Sequence, residues 1–122
     1  MRAKYQVLAS IAMSEFSDII LSTKLLGGTV SNPNKLRLSL HDSSFLDIWL
    51  SVEDDYAYHW ERRGQTGEVF RWDNAPHHPQ ISTHPNHFHK GDEATVEESH
   101  LSISPEKALR EILHFAREHI DK

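Results

Sequence analysis

The sequence predicts an α+β fold, an antiparallel β-meander sheet flanked by an N-terminal and a C-terminal helix. Three observations point to it. Apolar residues alternate with polar ones through successive segments between positions 35 and 62, the two-residue period of strands with one buried face. Short polar turns separate the segments, as consecutive antiparallel strands require. At both ends the apolar spacing becomes that of a helix. With 122 residues the chain reads as one domain, 1–122, long enough for a core of its own.

Taken in order, residues 3–14 form a helix, with Tyr5, Leu8, Ile11 and Ala12 on one stripe. In 15–27, Ile19, Ile20, Leu21, Leu25 and Leu26 fit a helix or a strand, and Gly27-Gly28 ends the element either way. After the turn at 31–34, Leu36, Leu38 and Leu40 alternate with Arg37 and Ser39, so 35–41 is a strand. Asp42-Ser43-Ser44 turns the chain into a second strand, with Leu46, Ile48, Leu50 and Val52 on one face and Phe45, Asp47, Trp49 and Ser51 on the other. Asp54-Asp55 supplies the next turn. The third strand, 56–62, sets Tyr56, Tyr58 and Trp60 against Ala57, His59 and Glu61. Gly64 to Gly67 reads as a hairpin loop, and 68–73 returns as a strand. At the C-terminal side, Ser104-Pro105-Glu106 combines a capping hydroxyl, a proline at the first helical position and an acid on the positive dipole end. Leu109, Ile112, Leu113, Ala116 and Ile120 then make a stripe suited to packing on a sheet.

Composition removes several classes of function. Cysteine is absent, which excludes disulfides, thiolate metal sites and a Cys nucleophile. The formal charge of −5 argues against a protein that coats nucleic acid by bulk electrostatics. No apolar run approaches the roughly 18–20 residues that cross a bilayer, so no membrane partner is expected. The basic start and short apolar patch of the N-terminus lack a small-residue cleavage site, and a cytoplasmic location is the expectation.

The chemistry gathers at residues 70–93, where His77, His78, His84, His87 and His89 follow a strand in a proline-rich run. Three readings compete: a metal cage, an acid–base site, and a solvated loop rich in histidine. His87 and His89, two apart, fall on one side of an extended segment, with Asp73 or Asp92 available to complete a shell. The spacing nevertheless matches none of the strong zinc signatures, so no metal ligand set and no cofactor are predicted. An imidazole titrating near neutrality can give or take a proton. Two of them flanking a phosphodiester can cleave RNA through its own 2′-hydroxyl. Arg71, Arg62, Arg63 or Lys90 would then hold the phosphate, and Trp60, Trp72 or Phe88 would stack a base. Asp73 and Asn74 before Ala75-Pro76 also suit an ordinary turn. Tyr56, Tyr58 and Trp60 also read as core or partner-facing surface. Because His59 lies opposite the Tyr/Trp face, it is expected to share one concavity with at least two of His77, His78, His87 and His89.

At Tyr56–Trp60, Phe70–Pro79 and His84–Glu93 the sequence resembles the TumE-like toxins of prokaryotic toxin–antitoxin pairs. The specific part is 56–92, and the layout extends over most of the chain. The resemblance points to Tyr58, His59, Trp60, Arg71, Asp73, Asn74, His77, His78, His87, His89 and Gly91. His84, Asn86 and Phe88 depart from the family pattern, at the cost of one imidazole and one cation. The resemblance implies a toxin neutralised by a small antitoxin, commonly a helix-turn-helix protein. Combined with the residues, it gives a ribonuclease-type toxin working without metal. His59, Arg71, Asp73, His77, His78, His87 and His89 are its catalytic candidates, and Tyr58, Trp60, Trp72, Asn74 and Lys90 its binding candidates. The alternatives are a non-enzymatic module that binds the antitoxin and a histidine-rich metal-binding domain. RNA and a second copy of the chain are the further partners considered.

Overall fold

The computed structural model describes residues 1–120. The elements are α1 (Arg2–Glu15), β1 (Ile20–Leu26), β2 (Lys35–Leu40), β3 (Phe45–Leu50), β4 (Tyr56–Arg62), α2 (Arg63–Thr66), β5 (Glu68–Asp73), β6 (His87–Gly91), β7 (Val96–Glu98) and α3 (Pro105–Ile120). The seven strands form one sheet in sequence order, every neighbouring pair antiparallel. The architecture is the α+β meander with helices at its two ends that the periodicity predicts.

Both long helices cover one face of this sheet. Leu36, Leu38, Leu46, Ile48, Tyr58, Trp60, Phe70 and Trp72 point into the same core as Tyr5, Leu8, Leu109, Ile112 and Leu113. Phe115 of α3 lands edge-on among Trp60, Phe70, Trp72 and Phe88, with ring centroids 5.2–6.2 Å away. The helices are tied to each other at the surface. Arg110 makes a bidentate bond to Glu15, at 2.8 and 2.9 Å, and Arg117 binds Asp18 in the same way. The Tyr5 hydroxyl locks α1 to the sheet. It donates to the Asn34 carbonyl at 2.9 Å and accepts the Leu50 N–H at 3.0 Å.

One open choice is settled, and three differences from the sequence reading have local causes. Residues 15–27 resolve into a helix end at Glu15 and a strand from Ile20. The β1–β2 connection then needs Gly28 at φ +64, where a Cβ would lie 2.4 Å from the Asn32 carbonyl oxygen. The 64–67 connection is one helical turn, α2, closed by Gly67 at φ +83. Val52 lies beyond the end of β3 and is exposed. The largest difference is in the histidine stretch, read as a loop leaving the sheet. Its second half is β6, which pairs residue for residue with β5 from Asp73↔His87 to Val69↔Gly91. A further strand, β7, follows at the edge. Among the described residues, no helix is long and apolar enough to cross a membrane.

Candidate functional site

The face of the sheet turned away from the helices carries the candidates His59, Arg71, Asp73, His87 and His89. Strand pairing places Arg37, Asp47, His59, Arg71 and His89 side by side across five strands. The next row holds Trp49, Ala57, Asp73 and His87. Because successive residues of a strand point to opposite faces, these rows alternate with the buried Leu, Tyr and Trp rows. One alternation therefore builds the core and the site together.

At one end of the row, Arg37 binds both oxygens of Asp47, at 2.7 and 2.9 Å, and Lys35 adds a bond of 2.9 Å. Burial opposes ionisation of Asp47, but the two cations hold its carboxyl below its ordinary range. Arg37 also lies 3.9 Å above the Phe45 ring. A groove of about 410 Å³ runs over this end, lined by Arg37, Phe45, Asp47, Trp49, His59 and Arg71. It adjoins a second depression of about 260 Å³ that shares Trp49 and Arg71 and reaches Asp73 and Pro76.

Arg71 is the hinge of the row. Its Nε donates to Asp73 Oδ2 at 2.9 Å and its Nη1 to His59 Nδ1 at 3.3 Å. Accepting at Nδ1 leaves His59 protonated at Nε2, which donates to Glu61 Oε1 at 3.1 Å. Both nitrogens of His59 are thus engaged, and the residue positions Arg71. The Arg71 side chain is 37% exposed, and its remaining N–H groups have no protein partner among the described residues.

Beyond Arg71 the imidazoles converge. His87 Nδ1 contacts the Pro85 carbonyl at 3.1 Å and His89 Nδ1 the Glu93 carbonyl at 2.9 Å. A carbonyl only accepts, so both Nδ1 atoms carry protons, and in a neutral ring the Nε2 atom presents its lone pair. Those Nε2 atoms lie 3.1 Å apart. Asp73 Oδ1 is 3.1 Å from His87 Nε2, and Asp73 Oδ2 is 3.8 Å from His89 Nε2. His78 closes the group from the loop, with its ring centroid 4.7 Å from His87 and 5.6 Å from His89. Partial desolvation, and then the His87 and His89 imidazoles beside it, lower the His78 pKa from its ordinary value. His87 is 2% exposed and Asp73 5%, whereas His78 is half-buried.

The structure therefore brings together Arg71, Asp73, His78, His87 and His89, with His59 joined to them through Arg71. His59 lines the groove and reaches the cluster only through Arg71 and Asp73. The single concavity expected for His59 and the histidine segment is not formed: the groove that holds His59 ends at Arg71, and His77, His78, His87 and His89 lie outside its lining and that of the adjoining depression. His77 is exposed and lies outside the ring contacts of the cluster.

The binding candidates fall elsewhere. Tyr58, Trp60 and Trp72 are core residues under the helices, and Phe88 stacks on Trp72 at 4.5 Å, so none of them offers a ring face to a ligand on the site side. Asn74 closes a turn, accepting the Tyr56 N–H at 3.0 Å and donating to the Asp54 carbonyl at 3.1 Å. Lys90 pairs with Phe70 and so belongs to the opposite face from His89. Arg62 is buried against Trp60 between Asp42 and Glu68, and Arg63 is held by Glu61. Trp49, Arg37 and Asp47 line the groove beside His59 and Arg71 and are not among the candidates that the sequence suggests. Their signal was the strand parity that set Asp47 and Trp49 opposite Leu46 and Ile48.

Compared with known proteins, the chain matches one family model, described as Toxin TumE, over residues 11–120. No curated protein and no solved structure matches it.

Proposed function

Since the chain belongs to the TumE family of toxins from toxin–antitoxin pairs, we propose that it acts by cleaving RNA on the outer face of its sheet, at the junction of Arg71 and the imidazole cluster. The observation that carries this reading is the convergence of His78, His87 and His89 beside a half-exposed guanidinium. Arg71 has free N–H groups in a fixed orientation, which suit the non-bridging oxygens of a phosphodiester. The cluster next to it takes the proton from the 2′-hydroxyl that attacks the phosphorus and returns one to the leaving oxygen. His59 and Asp73 hold Arg71 in place. Trp49, 37% exposed on the groove wall, supplies the stacking surface that Trp60 and Trp72 cannot.

Family membership also implies an antitoxin partner. A small helix-turn-helix protein is the kind proposed, and it neutralises the toxin. Expression of the chain alone, and together with the neighbouring gene, tests the reading. Alone, it should arrest growth and degrade RNA, and co-expression should restore both. Growth arrest with intact RNA would contradict cleavage and favour a toxin that acts by binding.

A further inference from the structure

The lone-pair arrangement at the cluster has a chemical consequence of its own. With both rings neutral, His87 Nε2 and His89 Nε2 are acceptors 3.1 Å apart, and Asp73 Oδ1 is a third acceptor 3.1 Å from the first. Three electron-rich atoms at these distances call for a shared proton or a metal cation between them. We propose that His78, His87 and His89 bind one divalent transition-metal ion of the zinc class, with an oxygen of Asp73 as the fourth donor.

Four features agree with this. First, one ligand nitrogen from each of the three histidines lies within 4.8 Å of the others. A tetrahedral shell with metal–nitrogen bonds of about 2.0–2.1 Å sets its ligand atoms about 3.3 Å apart. The His87–His89 separation already fits, and the half-buried His78 closes by a small side-chain movement. Second, the two inner imidazoles donate their Nδ1 protons to backbone carbonyls, the outer-shell bond that fixes a metal-binding histidine in the right tautomer. Third, Asp73 is itself oriented, by Arg71 Nε at 2.9 Å and by the Ala75 N–H at 2.9 Å. Fourth, the donor set of three imidazoles and a carboxylate, with no thiolate, suits zinc and its neighbours in the first row.

The ligands come from β5, β6 and the loop between them, so sequence spacing alone gave no signature. The pairing Asp73↔His87 creates the site. This inference rests on the cleavage reading for its place and changes one part of it: imidazoles bound to an ion carry no proton at the bound nitrogen, so a water held by the ion in place of Asp73 would take the 2′-hydroxyl proton. Binding itself is measured independently of cleavage.

The test is calorimetric titration of Zn²⁺ alone into the chelator-stripped full chain, with Co²⁺ absorption as a second probe of coordination. The wild type should bind one ion, and so should a His84→Ala/His100→Ala variant lacking two exposed histidines outside the cluster. His89→Ala and His78→Ala should weaken binding by about a hundredfold or more. The His78 side chain makes no hydrogen bond among the described residues, so its variant remains informative if His89→Ala fails to fold. Equal zinc binding by the wild type and His78→Ala would overturn the proposal, as would loss of binding in the double variant. One bound ion with RNA left intact would contradict cleavage alone, whereas cleavage by a chain that binds no zinc would overturn the metal site alone.

Discussion

His87 and His89 face each other with their Nε2 atoms 3.1 Å apart, each ring pinned by its other nitrogen to a backbone carbonyl. The two histidines are alternate residues of one strand and so share its outer face. Both rings are therefore held by the sheet as well as by their loops. Side chains on a rigid element keep their geometry better than those on a loop.

Arg71 is the residue through which the row communicates. Arg71→Ala should lower RNA cleavage by about 10²-fold or more, the loss typical of removing a donor to the reacting anion. Arg71→Lys should recover only part of this, because an ammonium cannot hold Asp73, His59 and a phosphate at once. Denaturation midpoints of both variants should move little. A large loss of stability would mean that Arg71 serves the fold instead.

The two faces of the sheet give the tryptophans opposite roles. Trp60 is 1% exposed and stacks on Phe70 at 5.3 Å, so Trp60→Ala should cost about 3–5 kcal/mol in urea unfolding. Trp49→Ala should leave stability within about 1 kcal/mol and weaken RNA binding by about 1–3 kcal/mol for the lost stack. Equal effects of the two changes on stability would contradict this division.

Tyr5→Phe removes a hydroxyl that serves Asn34 and Leu50 together. The Leu50 N–H is left buried without its partner, so unfolding measurements should show a loss of about 1–3 kcal/mol.

The core was legible in the sequence because its strands alternate. Leu36 to Leu40, Leu46 to Leu50 and Tyr56 to Trp60 each declare one buried face, and Ser104-Pro105 marks the start of α3. The same alternation named the opposite face, with Asp47, Trp49 and His59 on it. What alternation does not reveal is register. That Arg71 stands between His59 and His89 depends on turn lengths and on the placing of β6. Pro79 and Pro85 made the whole histidine run resemble a loop. Likewise, Tyr58, Trp60 and Trp72 have the chemistry of a binding platform, and only their shared burial in the core shows them to be structural.

Glu61 provides a pH test away from the imidazole cluster. Its carboxyl is lowered from 4.5 to about 2, chiefly by the Arg63 guanidinium, with partial burial opposing and His59 adding a further bond. A folded-state pKa below the unfolded one stabilises the fold at pH above about 4.5, and the contribution is lost as pH falls towards 2. The stability difference between wild type and Glu61→Gln should be constant from pH 7 to about 5 and should close below that. A difference independent of pH would show that the ion pair adds nothing through ionisation.

The most direct measurement is cleavage of an end-labelled RNA by the purified chain, wild type against Arg71→Ala and His89→Ala, beside the same RNA carrying 2′-deoxy sugars. Products ending in a 2′,3′-cyclic phosphate are expected from the wild type, with strongly reduced cleavage by both variants and no cleavage of the deoxy strand. Intact RNA with the wild type, or cleavage undiminished in either variant, would contradict it.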